Sequence, residues 1–204
     1  MGHAGMAAAA VRHLRSAGRP GAVVEALPAP ELRCVREDER APVGQAEFRR
    51  VLGGFATGVT VVSALDEEGP AGFACQSFVS LSLDPPLVAF MVGRTSTTWP
   101  RIARAGAFCV NVLAAGQAGL CRAFAVSGAD KFAGVAYDAA PVSGAPRLAG
   151  VLAWVDCTVH AVHPGGDHLI VVGRVDALGA ADEERDPLLF HRGRLWEGTD
   201  REGF

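Results

Sequence analysis

The sequence predicts a mainly β protein with flanking helices, closed as a β-barrel. Two observations carry this. The chain breaks into many short β-branched runs with only two or three helical stretches between them, and these follow no strict strand–helix–strand rhythm, which disfavours a doubly wound parallel sheet. At 204 residues and 50% hydrophobic, the chain is also long enough to bury one full core.

Residues 1–44 read as a flexible N-terminal extension. They are rich in Ala, Arg and Pro, hold no lasting periodicity and end in "REDERAPVG". The apolar stretch in "MAAAAVRHL" is too short for a signal peptide, and arginines follow it where a small-residue cleavage site would stand. A cytoplasmic protein is expected. From Glu47 the pattern changes: Phe48, Val51, Leu52 and Phe55 recur at helical spacing, so a helix opens a domain over residues 45–204.

"GVTVVSAL" is a strand closed by the turn "DEEGPAG", and a second strand region, "GFACQSFVSLSL", follows it. After the double proline, "PLVAFMV" makes another. The segment "STTWPRIARAG" predicts a helix with a Ser or Thr cap, Pro100 in its first turn and Gly106 as its stop. "AFCVNVL" returns to strand, residues 114–134 mix helix and loop, and "LAWVDCTVHAV" and "HLIVVGRVDAL" flank the turn "HPGGD". "PLLFHRGRLWEG" closes the domain.

Several functions are disfavoured by composition. A formal net charge of -3 with scattered Lys and Arg gives no basic stripe for nucleic acid, and apolar runs such as Pro86–Val92 fall far short of the roughly 20 residues that span a bilayer. The glycine signatures of Rossmann and P-loop nucleotide sites are missing, as is the nucleophile elbow of hydrolases. The five cysteines form no C-x-x-C pair and suit reduced, buried thiols. No metal site is expected, because His160 and His163 are an odd number apart and point to opposite faces of a continuing strand.

One strand asks for a polar partner. Read as a continuous strand, Gln76, Phe78, Ser80 and Ser82 share one face, and Ser77, Val79, Leu81 and Leu83 the other. An unpaired buried hydroxyl costs about 1 to 3 kcal/mol. The serines therefore bond to strand ends or water, or they line a polar ligand; the pattern leaves both open.

The segments "FRRVLGGFATGVTVV", "SFVSLSLDPPLVAF", "STTW", "FCVNVL", "DKF" and "GDHLIVVGRV" stand in the order found in the flavin reductase family. Over Gln45–Trp196 the chain resembles that family, whose fold is the FMN-binding split barrel and whose members include reductase components of two-component flavin-dependent monooxygenases. The resemblance implies a homodimer with flavin across the barrel mouth.

Carried over by position, it implies that Thr57, Gly58, Val59, Thr60 and Val61 line one side of the isoalloxazine. Gln76, Ser77 and Phe78 would meet the ring edge and ribityl chain, largely through backbone groups, with the Ser80 and Ser82 hydroxyls near its phosphate. Asn111 and Val112 would lie against the cofactor, and Lys131 of "DKF" would be a nearby cation. His163, Gly166, Asp167 and His168 match the loop for the nicotinamide nucleotide. Arg94, Ser96 and Thr97, at the start of the predicted helix, are second-rank phosphate candidates.

The implied activity is an NAD(P)H:flavin oxidoreductase that reduces FMN or FAD by hydride transfer and supplies free reduced flavin to a partner monooxygenase. Such chemistry asks the protein mainly to stack two rings and steady the developing charge, so His168 is assigned to positioning rather than acid catalysis. The alternative is a non-catalytic flavin-binding protein on the same fold, which has no need of the "HPGGDH" loop.

Overall fold

The computed structural model describes residues 43–128, 130–182 and 185–198. Of the expected extension over residues 1–44, all but Val43 and Gly44 lies outside them, as does Cys34. In chain order the elements are α1 (Gln45–Leu52), β1 (Thr57–Gly58), β2 (Thr60–Asp66), β3 (Gly69–Cys75), β4 (Val79–Leu83), β5 (Pro86–Gly93), α2 (Trp99–Ala105), β6 (Ala107–Val112) and α3 (Ala118–Ala125). They continue with β7 (Tyr137–Ala139), β8 (Pro146–Leu148), β9 (Ala153–Gly165), β10 (His168–Ala180), β11 (Leu189–His191) and β12 (Arg194–Trp196).

Seven strands form one antiparallel sheet in the order β3-β2-β6-β9-β10-β5-β4. Laid flat, its edges would stand about 29 Å apart at the usual strand spacing. Yet the edge strands β3 and β4 are consecutive, and the chain from Cys75 to Val79 reaches about 14 Å at most. The sheet therefore curls until its edges approach.

Ser77 bridges this corner: its Oγ accepts the Met91 N–H of β5 at 2.9 Å and donates to the Met91 carbonyl at 3.0 Å. Register shifts in the β9–β10 ladder, between Val172 and Gly173 and between Val175 and Ala177, add the local twist that curling needs. His160 sits at the first of these shifts, so β9 is not the continuing strand on which its expected facing rested.

The double-proline segment differs from the simple strand end suggested by two missing donors. Leu83 pairs with Pro86, so Asp84 and Pro85 form the two-residue turn of a β4–β5 hairpin. The expected alternation over residues 76–83 is also broken. Gln76–Phe78 lie outside any strand, and a register shift separates Ser80 from Ser82.

β2 explains why "GVTVV" reads as an unbroken apolar run. Val62 points into the cluster holding Phe90, Phe108, Ile102 and Val171, while Val61 points outward under α3, against Leu113, Phe124 and Leu188. Both faces are dry. Phe90 and Phe108 meet edge to face at 5.3 Å, and Gly173 makes room for them, since a Cβ there would lie 2.5 Å from the Phe108 ring.

α2 begins one residue before Pro100 and stops at Gly106, whose φ of 69° suits glycine. Thr98 makes no side-chain cap; the Ser96 hydroxyl accepts the Trp99 N–H instead. The Arg101 guanidinium fastens this helix to the β2–β3 turn through Asp66, at 2.5 and 3.0 Å, and the Gly69 carbonyl. α1 forms where the spacing places it, but Phe48, Val51 and Leu52 stay more than half exposed. Among the described residues nothing covers its apolar side.

Candidate active site

The end of β3, the loop after β5 and the end of α3 enclose a cleft of about 480 Å³. α3 reaches this position because Gly72 lets Phe124 press on β3, where a Cβ would stand 2.9 Å from the ring. Gln76, Ser77, Ser96, Thr97, Lys131 and His168, all singled out from sequence, come together here. The sequence reading missed Thr95, Thr98, Ser127, Phe73 and Met91 on the same walls.

A second cleft of about 700 Å³ shares Ala74, Cys75, Gln76 and Ala125 with the first. Its remaining lining is largely apolar, from Val59, Phe190 and Leu195, with Arg122 and Arg194 among them. The two clefts are lobes of one groove that meet at Gln76. Of the second lobe the sequence reading names only Val59 and Gln76; its other residues come from β3, α3 and the β11–β12 hairpin.

Lys131 carries the main charge of the polar lobe. Its Nζ donates to the Gly72 carbonyl at 3.1 Å and the Phe124 carbonyl at 3.0 Å. Partial burial pushes its pKa down, and among the described residues no carboxylate pairs with it. An ammonium has three N–H donors, so one stays available to an anion. Opposite, Cys75 forms part of the floor, where burial pushes its thiol up and away from the reactive thiolate form.

His168 opens β10 across from Gly93, and its ring lies beside that residue, with Nε2 3.9 Å from where a Cβ would stand. His168 Nδ1 lies 2.7 Å from Asp167 Oδ1, and that bond holds the Asp167 carboxyl below its ordinary range. Arg94 ties this hairpin to the facing loop, its Nε donating to the Gly166 carbonyl at 2.9 Å and its backbone N–H to the Asp167 carbonyl at 3.0 Å. Arg94 thus braces the wall, and it lines neither lobe. His163 is exposed on β9, opposite Ile170, and lines neither lobe.

Several sequence assignments are corrected. Asn111 is fully buried; its Nδ2 donates to the Val61 carbonyl and Ser63 Oγ, and its Oδ1 accepts the Leu148 N–H. Val61 is equally buried in the outer core, and Thr60 donates its hydroxyl to the Cys75 carbonyl at 2.8 Å. These three support the groove and cannot touch a ligand entering from solvent. Ser77 lines the cleft, but its hydroxyl is already engaged by Met91.

Phe78 packs against the inner core. Gly58, Ser80, Ser82 and Val112 line neither lobe, and of the stretch from Thr57 to Val61 only Val59 does. Thr57 shows a different signal: its Oγ1 is buried without a hydrogen-bond partner. In the groove itself, the free N–H of Lys131, the hydroxyls of Thr97 and Ser127, and an apolar lobe flanked by arginines together fit a flat ring system bearing an anionic polar chain. Among the described residues no cluster of three or more His, Cys, Asp or Glu could hold a metal, and no helix is long and apolar enough to cross a membrane.

Comparison with known proteins agrees with this chemistry. The reductase subunit HsaB of a flavin-dependent monooxygenase from Rhodococcus jostii (strain RHA1) is 52% identical over 147 residues, covering 72% of this chain and 74% of that protein. The FMN reductase (NADH) SmoA of Agrobacterium fabrum is 40% identical, covering 84% of this chain and 94% of that one. Among solved structures, the NADH:FAD oxidoreductase SgcE6 of Streptomyces globisporus C-1027, in complex with NAD and FAD fragments, superposes with a TM-score of 0.72. It is 38% identical and covers 77% of this chain and 94% of that one. The mainly β architecture is accordingly that of the split-barrel flavin reductases. Residues 52–199 match the family described as flavin reductase like domain, and this chain belongs to that family.

Proposed function

We propose that this chain is an NADH:flavin oxidoreductase that reduces FMN or FAD and releases the product to a separate flavin-dependent monooxygenase. The observation that carries the reading is the groove itself: two lobes of different polarity meet at Gln76, beside a histidine held by Asp167. A reductase needs two ring systems held against each other, and a non-catalytic flavin-binding protein needs only one. The names of HsaB, SmoA and SgcE6 support both the partner class and NADH as donor.

When bound, flavin supplies the hydride acceptor and NADH the hydride. The chain's own residues bind and orient. Lys131 offers its remaining N–H to an anionic group, with the hydroxyls of Thr97 and Ser127 on the same wall. Asp167 fixes the His168 ring, so that with Nδ1–H donating to the carboxylate, Nε2 is left to accept from a carboxamide. Val59, Phe190 and Leu195 exclude water from the apolar lobe.

A homodimer belongs to the same reading. The uncovered side of α1 and the exposed Val79, Leu81 and Leu83 of β4 support burial against a second copy. Free thiols at Cys75, Cys109, Cys121 and Cys157 support a cytoplasmic setting. Residues 45–204 form the catalytic unit, and residues 1–44 are dispensable to it.

The test is NADH oxidation by purified protein with FMN and FAD in turn, alongside a chain lacking residues 1–44. Turnover with at least one flavin, in both chains, is expected. No oxidation with either flavin would refute the enzyme.

A further inference from the structure

The β9–β10 hairpin closes through a two-residue turn, Gly166 and Asp167, since Gly165 pairs with His168. Gly166 takes a φ of 71°, the left-handed region that a tight hairpin turn asks of its first central residue. Residues 162–168 are all exposed, so little packing holds this tip. The Asp167 side chain is 95% exposed and that of His168 50%. Where the His168 ring stands is therefore set by hydrogen bonds to the backbone of the turn.

Both turn carbonyls go to one residue. The Arg94 N–H donates to the Asp167 carbonyl at 3.0 Å, and its Nε donates to the Gly166 carbonyl at 2.9 Å. Among the described residues no other side chain from outside the turn hydrogen-bonds it. Arg94 is itself held from behind. The Ser96 N–H donates to the Gly93 carbonyl at 3.0 Å, the Ser96 hydroxyl accepts the Trp99 N–H, and Trp99 packs on the inner core that contains Ile102. A line of support thus runs from the core through α2 and Arg94 to the turn, and so to His168. The side-chain bond comes from Nε, the nitrogen nearest the stem, where a neutral amide could donate equally well.

We infer that Arg94 is a positioning residue for the nicotinamide nucleotide: it latches the Gly166–Asp167 turn so that His168 faces the polar lobe, and it does so as a hydrogen-bond donor, not as a charge. The inference rests on the reductase reading, which gives His168 its ligand. One net hydrogen bond shifts an open and closed turn by about two- to tenfold, which sets the size of the effect.

The test compares the full chain with Arg94→Met, which loses the donor, and Arg94→Gln, whose amide nitrogen stands as many bonds from the backbone as Nε but carries no charge. Thermal unfolding checks that each variant folds. Hydrogen exchange over residues 162–170 reads the latch without any ligand: exchange about threefold faster or more in Arg94→Met, and restored in Arg94→Gln, is expected. Unchanged exchange in Arg94→Met overturns the inference whether or not the protein reduces flavin. In steady-state kinetics, Arg94→Met should raise the KM for NADH about threefold, leave the KM for flavin within about twofold, and add nothing further in a His168→Ala background. Arg94→Gln should return the KM for NADH to that of the unaltered chain. Arg94→Gln as impaired as Arg94→Met, a rise in the KM for flavin instead, or effects of Arg94→Met and His168→Ala that multiply would each overturn it, by showing a charge on the ligand or a role independent of His168. Exchange as expected with no NADH oxidation by the unaltered chain would instead refute the reductase reading.

Discussion

Two polar groups on neighbouring parts of the barrel show how differently the same residue class is used. Asn111, on β6, is fully buried and its amide is bonded on both sides, to Val61, Ser63 and Leu148 among others. Lys131, at the groove, is only part-buried and has two of its three N–H donors engaged. The first is a closed network that fixes how β2, β6 and β8 sit together. The second is an open one, with one donor left unengaged among the described residues. Counting unsatisfied valences separates structural polarity from functional polarity where residue type alone does not.

The largest expected effect tests the closed side. Asn111→Ala takes from the Leu148 N–H its side-chain acceptor and from the Ser63 oxygen the donor that meets it in a dry interior, and should lower unfolding free energy by about 3 kcal/mol in denaturant titrations. A loss under about 1 kcal/mol would show that the network is slack. On the open side, Lys131→Met should raise the KM for flavin about tenfold, roughly 1.4 kcal/mol of binding, with a much smaller change in stability. The comparison inverts if stability collapses while KM holds.

His168→Ala should be milder, a rise of about three- to fivefold in the KM for NADH with the fold intact, since its ring is half exposed and its proposed role is orientation. Unchanged KM and turnover would remove His168 from the site. The smallest effect belongs to Asp66, whose carboxyl the Arg101 guanidinium holds at about 2, against an ordinary 3.8. Because the folded value lies below the unfolded one, its stabilisation is complete above about pH 4 and is lost as pH falls through about 2. Asp66→Asn should flatten that acid limb without changing the unfolding midpoint's trend with pH near neutrality.

Much of the barrel was legible because its strands are local signals. "GVTVV", "AFCVNV" and the runs flanking "HPGGD" became β2, β6, β9 and β10, and Gly106 stopped α2. The break at residues 76–78 was not legible, because it arises from closing the sheet edges, a long-range demand that no local alternation records. Ser77 shows the consequence: its side chain, which the alternation turns away from Ser80 and Ser82, is the clip to Met91. Asn111 was misread for the same reason, since only its partners at Leu148 and Pro146 reveal which way it faces. Arg122, Phe190 and Arg194 were missed because they belong to distant segments that meet only in the folded groove.

The central claim, that hydride passes where the two lobes meet, has one direct measurement. Under anaerobic conditions, flavin bleaching by NADH is followed in a single turnover for the full chain and for Gln76→Trp, which places a large ring at the junction. The account predicts rapid bleaching in the first and slowing by about 100-fold or more in the second, with flavin still bound. Equal rates in both, or no bleaching in the unaltered chain, would contradict it.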